Sequence, residues 1–181
     1  MIVEYTIIDS LDQVDLSSLF DASADVIDYS YRGWPSNQMS IEEKKEFYIN
    51  SVIMTFSEPY VLGRYPLGKF IAFKATVNGI DSLVNMGYVK DDCYTSYWYL
   101  TAPDSTGSRN WIFASRNIMH AFYREQGFNS FKFVTYQDSL LARNARMRHN
   151  SGHVQILEQK KIDDIHIEIK VKVNDASVLT A

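Results

Sequence analysis

Cysteine is almost missing from this 181-residue chain, with Cys93 the only one. No disulfide can close within it and no cysteine-rich metal knuckle can be built, which fits a reducing cytoplasm. Long apolar runs are missing as well. No window approaches the roughly 18 uninterrupted apolar residues that a membrane-spanning helix needs. The opening "MIVEYTIIDS" has no basic leader followed by a long apolar run. The expectation is a soluble, unprocessed cytoplasmic chain with no membrane partner. A Gly-x-Ser-x-Gly elbow and a Gly-Lys-Ser/Thr phosphate loop are both absent, so serine-hydrolase and P-loop chemistry fall away. His149 and His153 stand four apart, but Asn-Ser-Gly between them breaks a helix, and no carboxylate or third histidine lies at useful spacing. No metal centre is expected. A lone cysteine with no base or positive group beside it reads as a buried one, not a nucleophile.

Apolar residues make up 46% of the chain, enough for one compact core. Without a boundary signal, residues 1–173 read as a single domain and 174–181 as a loose tail. The net charge of −4 is unevenly spread. Residues 1–60 carry eleven acidic and three basic side chains, and residues 110–160 carry three acidic and seven basic ones. A basic half can attract phosphate from a nucleotide cofactor or a nucleic acid. No dense Lys/Arg run occurs, however, and Arg143, Arg146 and Arg148 have few aromatics interleaved, so a solvated helix face is the plainer reading. Nucleic acid is a possible partner of the 116–148 region but not the favoured one.

Along the chain, "IVEYTIID" alternates as a strand and "LDQVDLSSLFDASADVIDYSY" carries helical spacing. Ser40, with Glu43 three residues on, has the capping-box spacing and predicts a helix through "IEEKKEFYINSVIM". Aromatic and β-branched residues between positions 59 and 102, punctuated by Asn78-Gly79 and Asp91-Asp92, predict three antiparallel strands joined by hairpins. "SRNWIFASRNIMHAFYREQG" places Trp111, Ile112, Ser115, Ile118, Met119 and Phe122 along one helical stripe, with Gly127 placed to end it. Trp111 is accordingly read as core. "FKFVTY" is a strand, "QDSLLARNARMRH" a helix, and "HVQILEQKKI" and "IHIEIKVKV" two strands around Asp163-Asp164.

The stretch "TAPDSTGSRNW", residues 101–111, sits between the fourth strand and the third long helix, where free N–H groups and the helix dipole favour an anion. This junction and the order β-α-α-β-β-β-α-β-α-β-β resemble the GCN5-related N-acetyltransferase (GNAT) fold over nearly the whole chain. Pro103 and Asp104 match the residues that often close the family's fourth strand, and Gly107 matches the first glycine of its phosphate-binding turn. Thr106 stands where the family has Arg or Gln, Arg109 at the second glycine and Trp111 at the third small position. Arg109 has two readings: its guanidinium turned outward pairs with a phosphate and partly replaces the lost backbone contacts, or it caps the surface and the pocket is vestigial.

The resemblance implies an α/β fold of the α+β mixed-sheet kind, a predominantly antiparallel central sheet with helices on both faces. It implies an acyl-CoA-dependent N-acyltransferase in which a small-molecule or protein amine attacks the thioester directly. Acetyl-CoA or another acyl-CoA would then be held by Leu100 and Thr101 at the strand end and by Thr106, Gly107, Ser108, Arg109 and Asn110 in the turn. Candidates for acid and base are Tyr97 and Tyr99, alternating with Trp98 and so expected on one strand face, Tyr136 at the end of the fifth strand, with Ser139 beside it, and His149. Arg148 falls where the family's acidic tyrosine would be. Two alternatives stand beside this. One is a protein of the same fold using acyl-carrier protein or S-adenosylmethionine, as acyl-homoserine-lactone synthases do; the other is an inactive binding protein contacting nucleic acid or protein.

Overall fold

The computed structural model describes residues 2–30, 38–59, 68–102 and 111–174. Along the chain run β1 (Val3–Ile7), a 3-10 turn (Leu11–Gln13), α1 (Leu16–Ser30), α2 (Ile41–Ser57), β2 (Lys69–Val77), β3 (Ile80–Lys90) and β4 (Cys93–Thr101). They are followed by α3 (Trp111–Glu125), β5 (Ser130–Tyr136), α4 (Leu140–Asn150), β6 (Val154–Lys161) and β7 (His166–Val173), the order expected from the sequence.

Local chemistry explains most of these boundaries. Ser40 caps α2: its hydroxyl accepts from the Glu43 amide, and the Glu43 carboxylate returns to the Ser40 amide at 2.7 Å. Ser139 caps α4, accepting from the Ala142 amide at 3.0 Å, so its role is to start a helix. Asn78 and Gly79 close the β2–β3 hairpin with φ of 52° and 81°, the left-handed pair that a tight hairpin requires.

The strands form one sheet in the order β1-β2-β3-β4-β5-β7-β6. Every neighbouring pair is antiparallel except β4 and β5. One face packs beneath α3 and α4 around Phe73, Tyr94, Phe122, Tyr123, Phe131 and Ile169, with Phe73 stacked on Phe122 at 3.7 Å between ring centroids. The other packs beneath α1 and α2 around Phe20, Tyr48, Val52, Val84, Met86 and Leu100. Each such side chain taken out of water contributes about 1.5–3 kcal/mol before entropy is counted. Cys93 opens β4 and is buried, in agreement with the sequence reading.

Two departures from the sequence reading concern β4 and α4. The β3–β4 register shifts between Met86 opposite Trp98 and Gly87 opposite Ser96, leaving Tyr97 as an extra residue. Such a bulge breaks the period of two. Tyr97 consequently does not share a face with Tyr99. Its ring lies edge-on to Trp98 at 5.9 Å and near Tyr88 at 6.4 Å, among residues packed toward α1 and α2, while Tyr99 packs against the α3–α4 cluster. On α4, Arg143 and Arg146 lie toward solvent, but Arg148 is buried. The three arginines form no common solvated face, and the basic 116–148 region loses Arg148, together with the buried Arg116, as contacts for a nucleic-acid backbone.

Candidate functional site

β4 and β5 pair over three positions only, Cys93, Tyr94 and Thr95 opposite Ser130, Phe131 and Lys132. Beyond Thr95 the two strands part, and helices from opposite faces, α1 and α4, come near each other through the opening. The opening is a wedge in the middle of the sheet, wide at the C-terminal ends of both strands.

The polar lining of this wedge follows from the ladder on the other side of β4. The Ala102 amide donates to the Ser82 carbonyl at 2.9 Å, and Thr101 stands opposite Leu83 in the same register. An antiparallel ladder alternates hydrogen-bonded and non-bonded pairs. Leu100 and Trp98 therefore share Ala102's orientation toward β3, and the peptide groups of Thr101 and Tyr99 face the wedge. At its mouth the Thr101 carbonyl accepts from the Ser23 hydroxyl of α1. The Thr101 hydroxyl lies 3.0 Å from that of Ser115 on α3.

Deeper in, the Arg116 guanidinium from α3 lies 5.1 Å from the Tyr99 ring centroid on β4 and 4.9 Å from that of Phe133 on β5. It bridges the two strands by cation–π contact where hydrogen bonds have ceased. Burial raises the Tyr99 phenol pKa, and the Arg116 charge and hydrogen bonds with Ser115 and Thr101 partly offset this. The phenol thus keeps its proton through neutral pH.

Among the residues singled out from sequence, Tyr99 and Thr101 meet at the wedge. Leu100 contributes backbone geometry alone, since its side chain is buried beneath α1 and α2. Tyr97 stands next to the wedge but turns toward the α1–α2 face. Tyr136 ends β5 and is stacked on His166 at 4.8 Å, toward β7 and away from β4. His149 is exposed, and its Nδ1 lies 3.4 Å from the Val154 carbonyl and 3.3 Å from the Ile156 amide of β6. That places it at the far edge of the sheet, apart from Tyr99. Thr106, Gly107, Ser108, Arg109 and Asn110, with Pro103 and Asp104, lie outside the described residues, as does the Trp111 side chain.

Sequence reasoning missed Arg116, His120 and Ser23. Arg116 and His120 are four apart on α3 and fall within its buried side beside Ser115 and Met119. Polar residues inside an otherwise apolar helical stripe were the available signal.

No protein-family model and no curated protein sequence matches the chain. Solved structures do resemble it. RimL, a ribosomal L7/L12 alpha-N-protein acetyltransferase in complex with coenzyme A, matches with TM-score 0.53 and 15% identity, covering 96% of this chain and 95% of that one. The Salmonella typhimurium acetyltransferase that modifies the N-terminal serine of L7/L12 matches with TM-score 0.52 and 10% identity, over 96% and 95% of the two chains. The Vibrio fischeri ribosomal-protein-S5-alanine acetyltransferase matches with TM-score 0.50 and 11% identity, over 96% and 94%. At such identities the shared property is the fold, that of the GNAT acetyltransferases.

Proposed function

We propose that the chain is an acyl-CoA-dependent N-acyltransferase working at the β4–β5 wedge. The observation that carries this reading is the parting of the two strands after three paired positions, which leaves the β4 peptide groups of Tyr99 and Thr101 directed into the opening. A strand edge of this kind suits the amide-bearing arm of a coenzyme A thioester, which can pair with it as a further strand would. The fit lies on the β4 side, because the floor of the wedge carries the Arg116 guanidinium.

Bound there, an acyl-CoA supplies an activated acyl carbonyl and a thiol leaving group. Tyr99 and Thr101 hold the arm by their main chain, and the proposed turn residues Thr106, Gly107, Ser108, Arg109 and Asn110 supply donors to its phosphates. Tyr99, still protonated at neutral pH, is the proton donor in this scheme. Tyr97, next in line along β4, faces the opposite side, where a base for the acceptor amine is needed. The structural neighbours named for ribosomal-protein acetylation support a protein N-terminal amine as the acceptor class.

Acetyl-CoA at millimolar concentration is expected to raise the melting temperature by several degrees through mass action, and an N-terminal peptide amine to release free thiol. Tyr99→Phe should keep the melting shift and lose roughly 100-fold in kcat. Absence of any melting shift sinks the coenzyme assignment. A shift without thiol release from any amine favours the second reading, a binding protein on an acyltransferase fold. The bridging Arg116 and the approach of α1 to α4 support that alternative, since both narrow the wedge.

A further inference from the structure

Beneath the wedge, on the α3–α4 side of the sheet, lies a cluster that acyl transfer does not use. Arg116 and His120 on α3 and Asn144 and Arg148 on α4 turn inward, with 4%, 1%, 6% and 1% of their surfaces exposed. They line a cavity of about 10 Å³ whose remaining wall is aliphatic and aromatic. That is the room of about one water molecule or one ion of similar size. No carboxylate of the described residues lines it.

Hydrogen-bond logic fixes the polarity of this cavity. Arg148 Nη2 lies 3.1 Å from His120 Nδ1. A guanidinium has donors only, so Nδ1 must be the acceptor and the imidazole proton sits on Nε2. A doubly protonated ring would set two donors against each other. Nε2 is buried with no hydrogen-bond partner, so it is an N–H in search of an acceptor. Among the described residues the Arg116 guanidinium makes one hydrogen bond, a long one of 3.8 Å to the Met119 sulfur, and it also faces the Tyr99 and Phe133 rings. Sharing the cavity with it, among the described residues, are the Arg148 guanidinium, the neutral His120 ring, the Asn144 amide and otherwise aliphatic or aromatic side chains. Burial first and the Arg116 charge second lower Arg148 to about 10, and burial with both guanidiniums keeps His120 neutral.

A buried guanidinium with no counter-charge beside it among the described residues is costly, and ring faces offset only part of that cost. A water can accept from Nε2–H but leaves the positive charge in place. A phosphate or carboxylate is too large for the cavity. We propose that this cavity is a structural site for one small inorganic anion, chloride or an ion of its size, held by Arg116, Arg148 and the Nε2–H of His120. Such an ion accepts from all three groups at once and ties α3 to α4 across the floor of the wedge.

The test uses the whole chain and no coenzyme, so it stands apart from the acyl-transfer reading. Thermal unfolding is followed in mixtures of sodium chloride and sodium gluconate at constant ionic strength, which holds screening fixed. The expected result is a saturating rise of about 4 °C with chloride, and, in crystals grown with bromide, an anomalous peak within hydrogen-bond reach of His120 Nε2. Arg116→Met should abolish the chloride dependence, and Arg116→Lys, which keeps the charge, should retain it if the methionine variant does not fold. A melting temperature indifferent to the anion, or a cavity holding only water in the bromide crystal, overturns the proposal.

Discussion

His120 shows how a single side chain ties pH to stability. Its Nδ1 accepts from Arg148, and burial together with two nearby guanidiniums pushes its pKa well below the usual value. The folded chain therefore cannot take up the proton that the unfolded chain binds as pH falls through about 6.5. Where the unfolded state binds more protons, stability falls with falling pH, so the His120 contribution is full above that value and is lost on acidification. Urea midpoints measured from pH 7.5 down to about pH 5 should decline in the wild type. In His120→Gln the decline should be smaller, because the side chain no longer titrates while an amide oxygen can still accept from Arg148. An equal decline in both proteins would remove His120 as the cause.

At the scale of the element, the β3–β4 hairpin carries the one irregularity that shapes the site. Asp91 and Asp92 turn it with φ of 49° and 57°, and the bulge at Tyr97 follows. Gly87 stands where the bulge resumes regular pairing, and a Cβ there would lie 2.1 Å from the Thr95 carbonyl and 2.8 Å from the Tyr94 ring. Neither neighbour can yield easily, since one is backbone and the other is a fully buried ring. Gly87→Ala should therefore destabilise by about 3 kcal/mol, read as a fall in the denaturant midpoint at unchanged slope. A variant within 0.5 kcal/mol of wild type, the range of ordinary surface substitutions, would mean that the strands do not approach this closely.

For the whole molecule, the sheet joins two clusters that share its central strands. β2, β3 and β4 supply residues both to the α3–α4 face, through Phe73, Leu83 and Tyr94, and to the α1–α2 face, through Ala72, Met86 and Leu100. Neither cluster can be lost without exposing the back of the other. We infer that residues 1–173 unfold as one unit, and the expected observation is coincident transitions by far-ultraviolet circular dichroism and tryptophan fluorescence. Trp98 reports on the α1–α2 side, where its Nε1–H donates to Thr55 at 3.0 Å. Two separated transitions would divide the chain into two domains.

Much of this architecture was legible in the residue pattern because its causes are local. Ser40 and Glu43 start a helix by satisfying each other's amides, Asn78-Gly79 turns a hairpin by adopting left-handed φ, and Gly127, at φ 76°, ends α3. The element order, and with it the resemblance to an acyltransferase fold, rests on such short-range effects. The candidate site was only half legible. Tyr99 and Thr101 were named from their place on the fourth strand, but the bulge that turns Tyr97 to the opposite face is a property of pairing with β3. His149 is drawn to the β6 edge by backbone groups that no spacing announces. The inward turn of Arg116 and Arg148 was the tertiary structure's decision. A charged residue on a helix reads as solvated until the neighbouring strands part and open a space, between aromatic rings and beside an imidazole, in which a guanidinium can be buried.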